Sequence, residues 1–245
     1  MIKTIQRIPS QTEALQAIAS FLEEHTRRIL SKKRNYSIAL SGGRTPVGLF
    51  KFLCREKYRR LIQWEKMRFF WSDERYVPAH DRASNFQMAH ENLLSHLPVQ
   101  VDNVFRAPTE EISCEAAARK YQQQILTAFS HHTTKEPDRR FYPQFDLIML
   151  GMGEDGHTAS LFPNHPALKD SNLIAAVESE YASPPVPRLT FTLPLINNAD
   201  TVIFMVNGTN KIKLFESFVK SDVKDRLIPA SMVAPQNQLI WFVWP

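Results

Sequence analysis

The chain is 245 residues long, with 43% of them hydrophobic, 22% charged and a formal net charge of +5. That balance is ordinary globular usage, and it excludes disordered, collagen-like and coiled-coil chains. The modest positive charge favours anionic partners such as phosphorylated metabolites, acidic surfaces or nucleic acid, without choosing among them.

Residues 11–30 have helical periodicity. The basic run Lys32-Lys33-Arg34 follows as a solvated connection; with no interleaved aromatics and no binding module it makes no nucleic-acid patch. An apolar run over 36–41 reads as a strand, and a helix over 46–58 follows, with Pro46 in its first turn where a missing N–H is harmless. Strand 67–71 comes next, then a helix over 84–94 with Ser84 as its N-cap, then a helix over 113–129. The polar, aperiodic stretch 131–142, with His131 and His132, reads as an exposed loop. Strand 145–151 leads into a glycine-rich segment, and Pro184, Pro185 and Pro187 stiffen 179–188 ahead of a strand over 189–193. Strand 201–206, helix 210–219 and strand 239–244 complete the chain, the last carrying Trp241 and Trp244 as core or interface aromatics.

Several of these strands are apolar at consecutive positions, as strands buried on both faces are. Their alternation with helices predicts a doubly wound α/β fold, with a mainly parallel sheet, helices on both faces and the site at the carboxyl ends of the strands. The length fits one large domain or two small ones, and the absence of a convincing linker favours a single domain over 1–245. Cys54 and Cys114 lie far apart and lack CxxC or Cys/His spacing, so reduced thiols and no metal site are expected. Neither an apolar leader after Met1 nor a run of about 18 apolar residues is present, which gives a cytoplasmic expectation and no membrane partner.

Three segments have the residues for chemistry. Ser41-Gly42-Gly43-Arg44-Thr45-Pro46 joins a strand to a helix; its glycines let backbone N–H groups approach an anion beside a helix N-terminus, although a tight turn alone would also use them. Trp71-Ser72-Asp73-Glu74-Arg75 ends a buried strand with a carboxylate pair and a cation, suited either to acid–base work and phosphate clamping or to a local ion pair in a turn; Ser84-Asn85 is a candidate neighbour of the same crevice. Leu150-Gly151-Met152-Gly153-Glu154-Asp155-Gly156-His157 places three of the chain's seven glycines at one strand end, with Asp155 two residues before His157. Histidine accepts and returns protons near neutral pH, and a neighbouring carboxylate orients its ring. Arg188, Lys211 and Lys213 are further cations able to reach the same edge.

Taken together, Ser41-Gly-Gly-Arg-Thr-Pro, Ser72-Asp-Glu-Arg, Ser84-Asn and the run from Gly151 through His157-Thr-Ala-Ser-Leu-Phe-Pro resemble the 6-phosphogluconolactonase family. The likeness extends through Pro184 to Arg188, Gly208 to Lys211 and Pro229-Ala-Ser231, and so spans almost the whole chain. It implies the fold of the glucosamine-6-phosphate isomerases and metal-free, cofactor-free hydrolysis of 6-phospho-glucono-1,5-lactone to 6-phosphogluconate. It also implies His157 as the base that activates water, Asp155 as its neighbour, and Gly43, Thr45, Arg75, Arg188 and Lys211 around the sugar phosphate; Gly42 and Asp73, from the same two segments, join them as binding candidates, Asp73 either touching the substrate or supporting Arg75. The expected partner is that lactone alone, bound by a monomer or small homo-oligomer. Two departures, Ser72 in place of a common glycine and Arg44 at a variable position, fall on no group assigned to the chemistry. The related isomerase and deaminase branch carries a Glu five residues after the His, where this chain has Phe162, which moves no proton. A non-catalytic sugar-phosphate sensor would have lost Asp155 or His157, and both are present.

Overall fold

The structure is a computed structural model and describes residues 1–130, 142–178, 180, 182–220, 225 and 227–245. In chain order its strands are β1 (Ile2–Arg7), β2 (Tyr36–Leu40), β3 (Met67–Trp71), β4 (Asp73–Arg75), β5 (Leu147–Gly151), β6 (Ile174–Val177), β7 (Arg188–Phe191), β8 (Thr201–Asn207) and β9 (Gln238–Trp244). Its α-helices are α1 (Gln11–Leu30), α2 (Arg44–Leu53), α3 (Glu56–Leu61), α4 (Asn85–Asn92), α5 (Cys114–Phe129), α6 (Leu193–Asn197) and α7 (Thr209–Val219). Six strands form a wholly parallel sheet in the order β1-β9-β8-β5-β2-β3.

Strand alternation sorts the apolar side chains into two cores. Ile38 and Leu40 of β2, Ile203 and Met205 of β8, and Ile240 and Phe242 of β9 pack with α1, α2 and α4. The intervening Ala39, Val202, Phe204 and Trp241 face the other way and pack with α5, α6 and α7. The consecutive apolar runs are therefore strands buried on both faces, each large side chain contributing roughly 1.5–3 kcal/mol by leaving water. Trp241 belongs to this interior, stacked on Phe204 with ring centroids 3.9 Å apart.

Several expectations need correction. The strand foreseen at 189–193 is Arg188–Phe191 and lies outside the parallel sheet, in a small antiparallel sheet ordered β4-β7-β6. Thr192 ends it as the N-cap of α6, with Pro194 in that helix's first turn. The helix foreseen at 46–58 is two helices, broken where Arg55 takes extended dihedrals. Of the loop foreseen at 131–142, only Tyr142 falls within the described residues; its hydroxyl donates to the Ser171 carbonyl at 2.6 Å. Cys54 and Cys114 are free, and no helix among the described residues is long and apolar enough to cross a membrane.

The topology fixes where a ligand fits. From β2 the chain runs outward to β3 and then returns to β5 on the other side of β2. Connections that diverge in this way leave a crevice between the carboxyl ends of the two strands.

Candidate active site

A cleft of about 590 Å³ occupies that crevice. Eight of the nine residues assigned from the sequence line it: Gly42, Gly43 and Thr45 after β2, Asp73 and Arg75 on β4, His157 after β5, Arg188 on β7 and Lys211 on α7. Asp155 stands behind His157 and reaches the cleft through it. Lys213 is exposed and does not line it.

The turn after β5 builds the His–Asp pair. The Gly153 amide donates to the His157 carbonyl at 2.9 Å, which closes the loop and brings the two side chains together over Gly153. A Cβ on Gly153 would lie 2.2 Å from His157 Nδ1 and 2.4 Å from Asp155 Oδ1, so this close approach requires glycine. Asp155 Oδ1 accepts from the His157 backbone amide at 3.1 Å and meets Nδ1 at 2.6 Å. With a proton on Nδ1 shared with the carboxylate, Nε2 is the nitrogen with an open lone pair for the cleft. Partial burial pushes the Asp155 carboxyl up, but the hydrogen bond and charge of His157 outweigh it and leave the group below its ordinary value. Phe162, 4% exposed, sits beside the imidazole with ring centroids 5.0 Å apart.

Period-two geometry separates the acidic cluster on β4. Asp73 and Arg75 face the cleft, whereas Glu74 points to the opposite side. Glu74 accepts from the amides of Arg75, Asn85 and Phe86 at 2.7–2.8 Å and from the Ser84 hydroxyl at 3.1 Å. Burial lifts its carboxyl to about 7 despite those donors. The acid–base candidate on this strand therefore holds the start of α4 instead of facing a ligand. Asp73 is anchored by the Ser160 hydroxyl, which donates to Oδ2 at 2.8 Å.

Arg75 and Arg188 are direct cross-strand partners in the small sheet, an arrangement that repels unless an anion joins them. Arg75 Nη1 donates to the Ala83 carbonyl at 2.6 Å, and Arg188 Nη2 donates to the Ser183 and Pro184 carbonyls at 2.9 and 3.2 Å. These contacts fix both guanidinium planes, while the Nε groups of both lie buried with no hydrogen-bond partner among the described residues. Burial, reinforced by Arg75, lowers the Arg188 pKa against the opposing pull of Asp73 and Glu74. Burial likewise lowers Lys211, with Arg44 adding to it and Glu154 and Asp155 opposing.

Ser10, Ser84 and Ser113 cap α1, α4 and α5 with side-chain hydrogen bonds, whereas α3 and α6 start without a side-chain cap bond. The two helices that begin at the cleft, α2 and α7, start instead from Gly43 and Gly208, both at φ 94 and neither with a side-chain cap. Their first amides and positive dipole ends are thus left for an anion. The Thr45 hydroxyl donates to Asn207 Oδ1 at 2.8 Å and ties the two starts together. Sequence reasoning set Arg44 aside, yet it lines the cleft, as do Glu154 and Ser183. Its place between the glycines and Thr45, in the first turn of α2, was the available signal.

Comparison with known proteins places this geometry in context. A sequence model of the family described as glucosamine-6-phosphate isomerases/6-phosphogluconolactonase matches residues 9–241. The chain is 36% identical over 216 residues to a 6-phosphogluconolactonase of Synechocystis sp., covering 88% of this chain and 85% of the relative. It is 32% identical to the 6-phosphogluconolactonase of Nostoc sp., covering 99% and 96%. The crystal structure of 6-phosphogluconolactonase from Thermotoga maritima superposes with a TM-score of 0.84 at 30% identity, over 100% of both chains.

Proposed function

We infer that this chain, which belongs to the glucosamine-6-phosphate isomerase/6-phosphogluconolactonase family, is an enzyme that hydrolyses 6-phospho-D-glucono-1,5-lactone to 6-phospho-D-gluconate, a step of the oxidative pentose phosphate pathway. The observation that carries this reading is the His157–Asp155 pair, bonded at 2.6 Å, beside a cleft lined by Arg75, Arg188 and Lys211.

In the proposed mechanism the phosphate docks by charge-assisted contacts on those cations and fixes the position of the lactone carbonyl. Water held at His157 Nε2 gives up a proton to the imidazole as its oxygen adds to the carbonyl carbon. Asp155, below its ordinary pKa and therefore ionised, stabilises the imidazolium that forms. The charge that develops on the carbonyl oxygen is met by uncapped backbone amides at the start of α2, beside Gly42 and Gly43. The carbon–ring-oxygen bond then breaks, the imidazolium returns its proton to the departing ring oxygen, and the new carboxylic acid ionises. No covalent intermediate with the enzyme is needed. The proposed setting is the cytoplasm, with a monomer or small homo-oligomer acting on the sugar phosphate and neither nucleic acid nor membrane as partner.

Phe162 supports hydrolysis over isomerisation, because a buried aromatic ring beside His157 has no proton to exchange with a sugar ring. The test is a rate assay on freshly made lactone, with spontaneous hydrolysis subtracted, run beside an ammonia-release assay on glucosamine 6-phosphate. Acceleration of the first alone is expected. Ammonia release without lactone hydrolysis would replace this reading with the deaminase, and inactivity in both with tight sugar-phosphate binding would replace it with a sensor.

A further inference from the structure

Gly42 is a glycine for a reason its backbone does not supply, since it is absent from the positive-φ positions. A Cβ on it would fall 1.8 Å from Oδ1 and 2.2 Å from Cγ of Asn85. Asn85 does not line the cleft and is 1% exposed. Its Nδ2 donates to the Asp73 carbonyl at 2.9 Å and approaches Asp73 Oδ1 at 3.4 Å, while its backbone amide is pinned by Glu74 Oε1 at 2.7 Å. One buried amide thus touches the glycine turn after β2 on one side and the cleft-facing carboxylate of β4 on the other.

We infer that Asn85 is a positioning residue: wedged between Gly42 and Asp73, its side chain sets the spacing between the amides at the start of α2 and the Asp73–Arg75 edge. Glu74 is the anchor of the wedge, because its carboxylate gathers the Ser84 hydroxyl and the Asn85 and Phe86 amides and so orients the start of α4. The His157–Asp155 pair is bonded within its own turn. A disturbance at Asn85 therefore acts on how the substrate is held more than on the proton transfer.

The inference rests on the lactonase reading for its substrate, and the test separates the two. Wild type, Asn85→Ala, Gly42→Ala and the double variant are compared in lactone hydrolysis and in calorimetric binding of 6-phosphogluconate. Lactone hydrolysis by wild type judges the activity alone; the binding measurements judge Asn85 whatever that rate is. Asn85→Ala is expected to weaken binding and raise KM about tenfold, within the scale of a lost buried hydrogen bond, and to lower kcat as the α2 amides shift, with the pH profile of kcat unchanged because the His157–Asp155 pair stays bonded. Gly42→Ala pushes the amide off Asp73 and is expected to do similar damage, and the double variant to be no worse than the poorer single one, as for two changes acting through one contact. Wild-type binding by Asn85→Ala, or losses that multiply in the double variant, would overturn the assignment. If Asn85→Ala does not fold, the near-isosteric Asn85→Leu, which deletes the donors to Asp73 without adding a charge, carries the same expectation and the same refutation.

Discussion

Substituting alanine for Gly153 tests the His–Asp pair without removing either member. The backbone there is not at positive φ, so an added methyl is resisted only by what it meets. It meets the two atoms that share the 2.6 Å hydrogen bond, Nδ1 of His157 at 2.2 Å and Oδ1 of Asp155 at 2.4 Å, against 3.4 Å for ordinary contact. The imidazole or the carboxylate must therefore move by about 1 Å, a misplacement that costs on the order of 100-fold in rate, or about 2.7 kcal/mol of barrier. The three atoms nearest that methyl belong to His157 and Asp155 and none to Arg75, Arg188 or Lys211, so KM for the lactone should stay within about threefold. The assay is initial-rate lactone hydrolysis with kcat and KM resolved, accompanied by a thermal melt to show that the variant is folded. A folded Gly153→Ala enzyme with wild-type kcat would refute the reasoning, because the pair could not then depend on its geometry.

His157→Ala should lower kcat by about 10²- to 10⁴-fold, the range of an acid–base group, while 6-phosphogluconate still binds by calorimetry; near-wild-type turnover would remove His157 from the mechanism. Arg75→Ala and Arg188→Ala should each raise KM by roughly 10- to 100-fold, as loss of a charge-assisted contact does, and an unchanged KM in both would dismiss the phosphate clamp. Stability should depend on acid through His25, which is 3% exposed, with Nδ1 bonded to the Tyr36 hydroxyl at 2.7 Å. Burial, with a smaller push from Arg28, lowers its pKa from 6.5 to about 4, so the unfolded chain binds the extra proton between those values. Stability is thus lost as pH falls from about 6.5 toward about 4, by on the order of 3 kcal/mol, and His25→Leu should melt with a shallower slope there than wild type. Equal slopes in the two proteins would rule out this origin.

What the sequence exposes and what it conceals follow from the range of the interactions. The run from Gly151 to His157 is legible because its chemistry is local: the turn, the glycine close approach and the Asp155–His157 bond all lie within seven consecutive residues. The parallel strands are legible because two-sided burial leaves continuous apolar runs, as in β8 and β9. β1 escapes the same test since it pairs only with β9 at the sheet edge and has just Ile2 and Ile5 among polar residues, with neither an apolar run nor a period of two, and Ile2 is 64% exposed. β4 escapes because three residues, Asp73 to Arg75, look like a charged turn until β7 supplies the partner that makes them a strand. That pairing also decides the fate of the carboxylates: side chains alternate along a strand, so Asp73 enters the cleft and Glu74 must leave it. Glu74 then finds its donors at Ser84, Asn85 and Phe86, and the Asn85 side chain reaches back to Gly42 on another strand end. Composition offers no signal for that chain of contacts, because each link joins residues far apart along the polypeptide. The proposed catalytic pair can be written in one short motif, but the frame proposed to hold a phosphate opposite it has to be assembled from β2, β4, β7 and α7, and its residues come together only when the sheet brings those ends together.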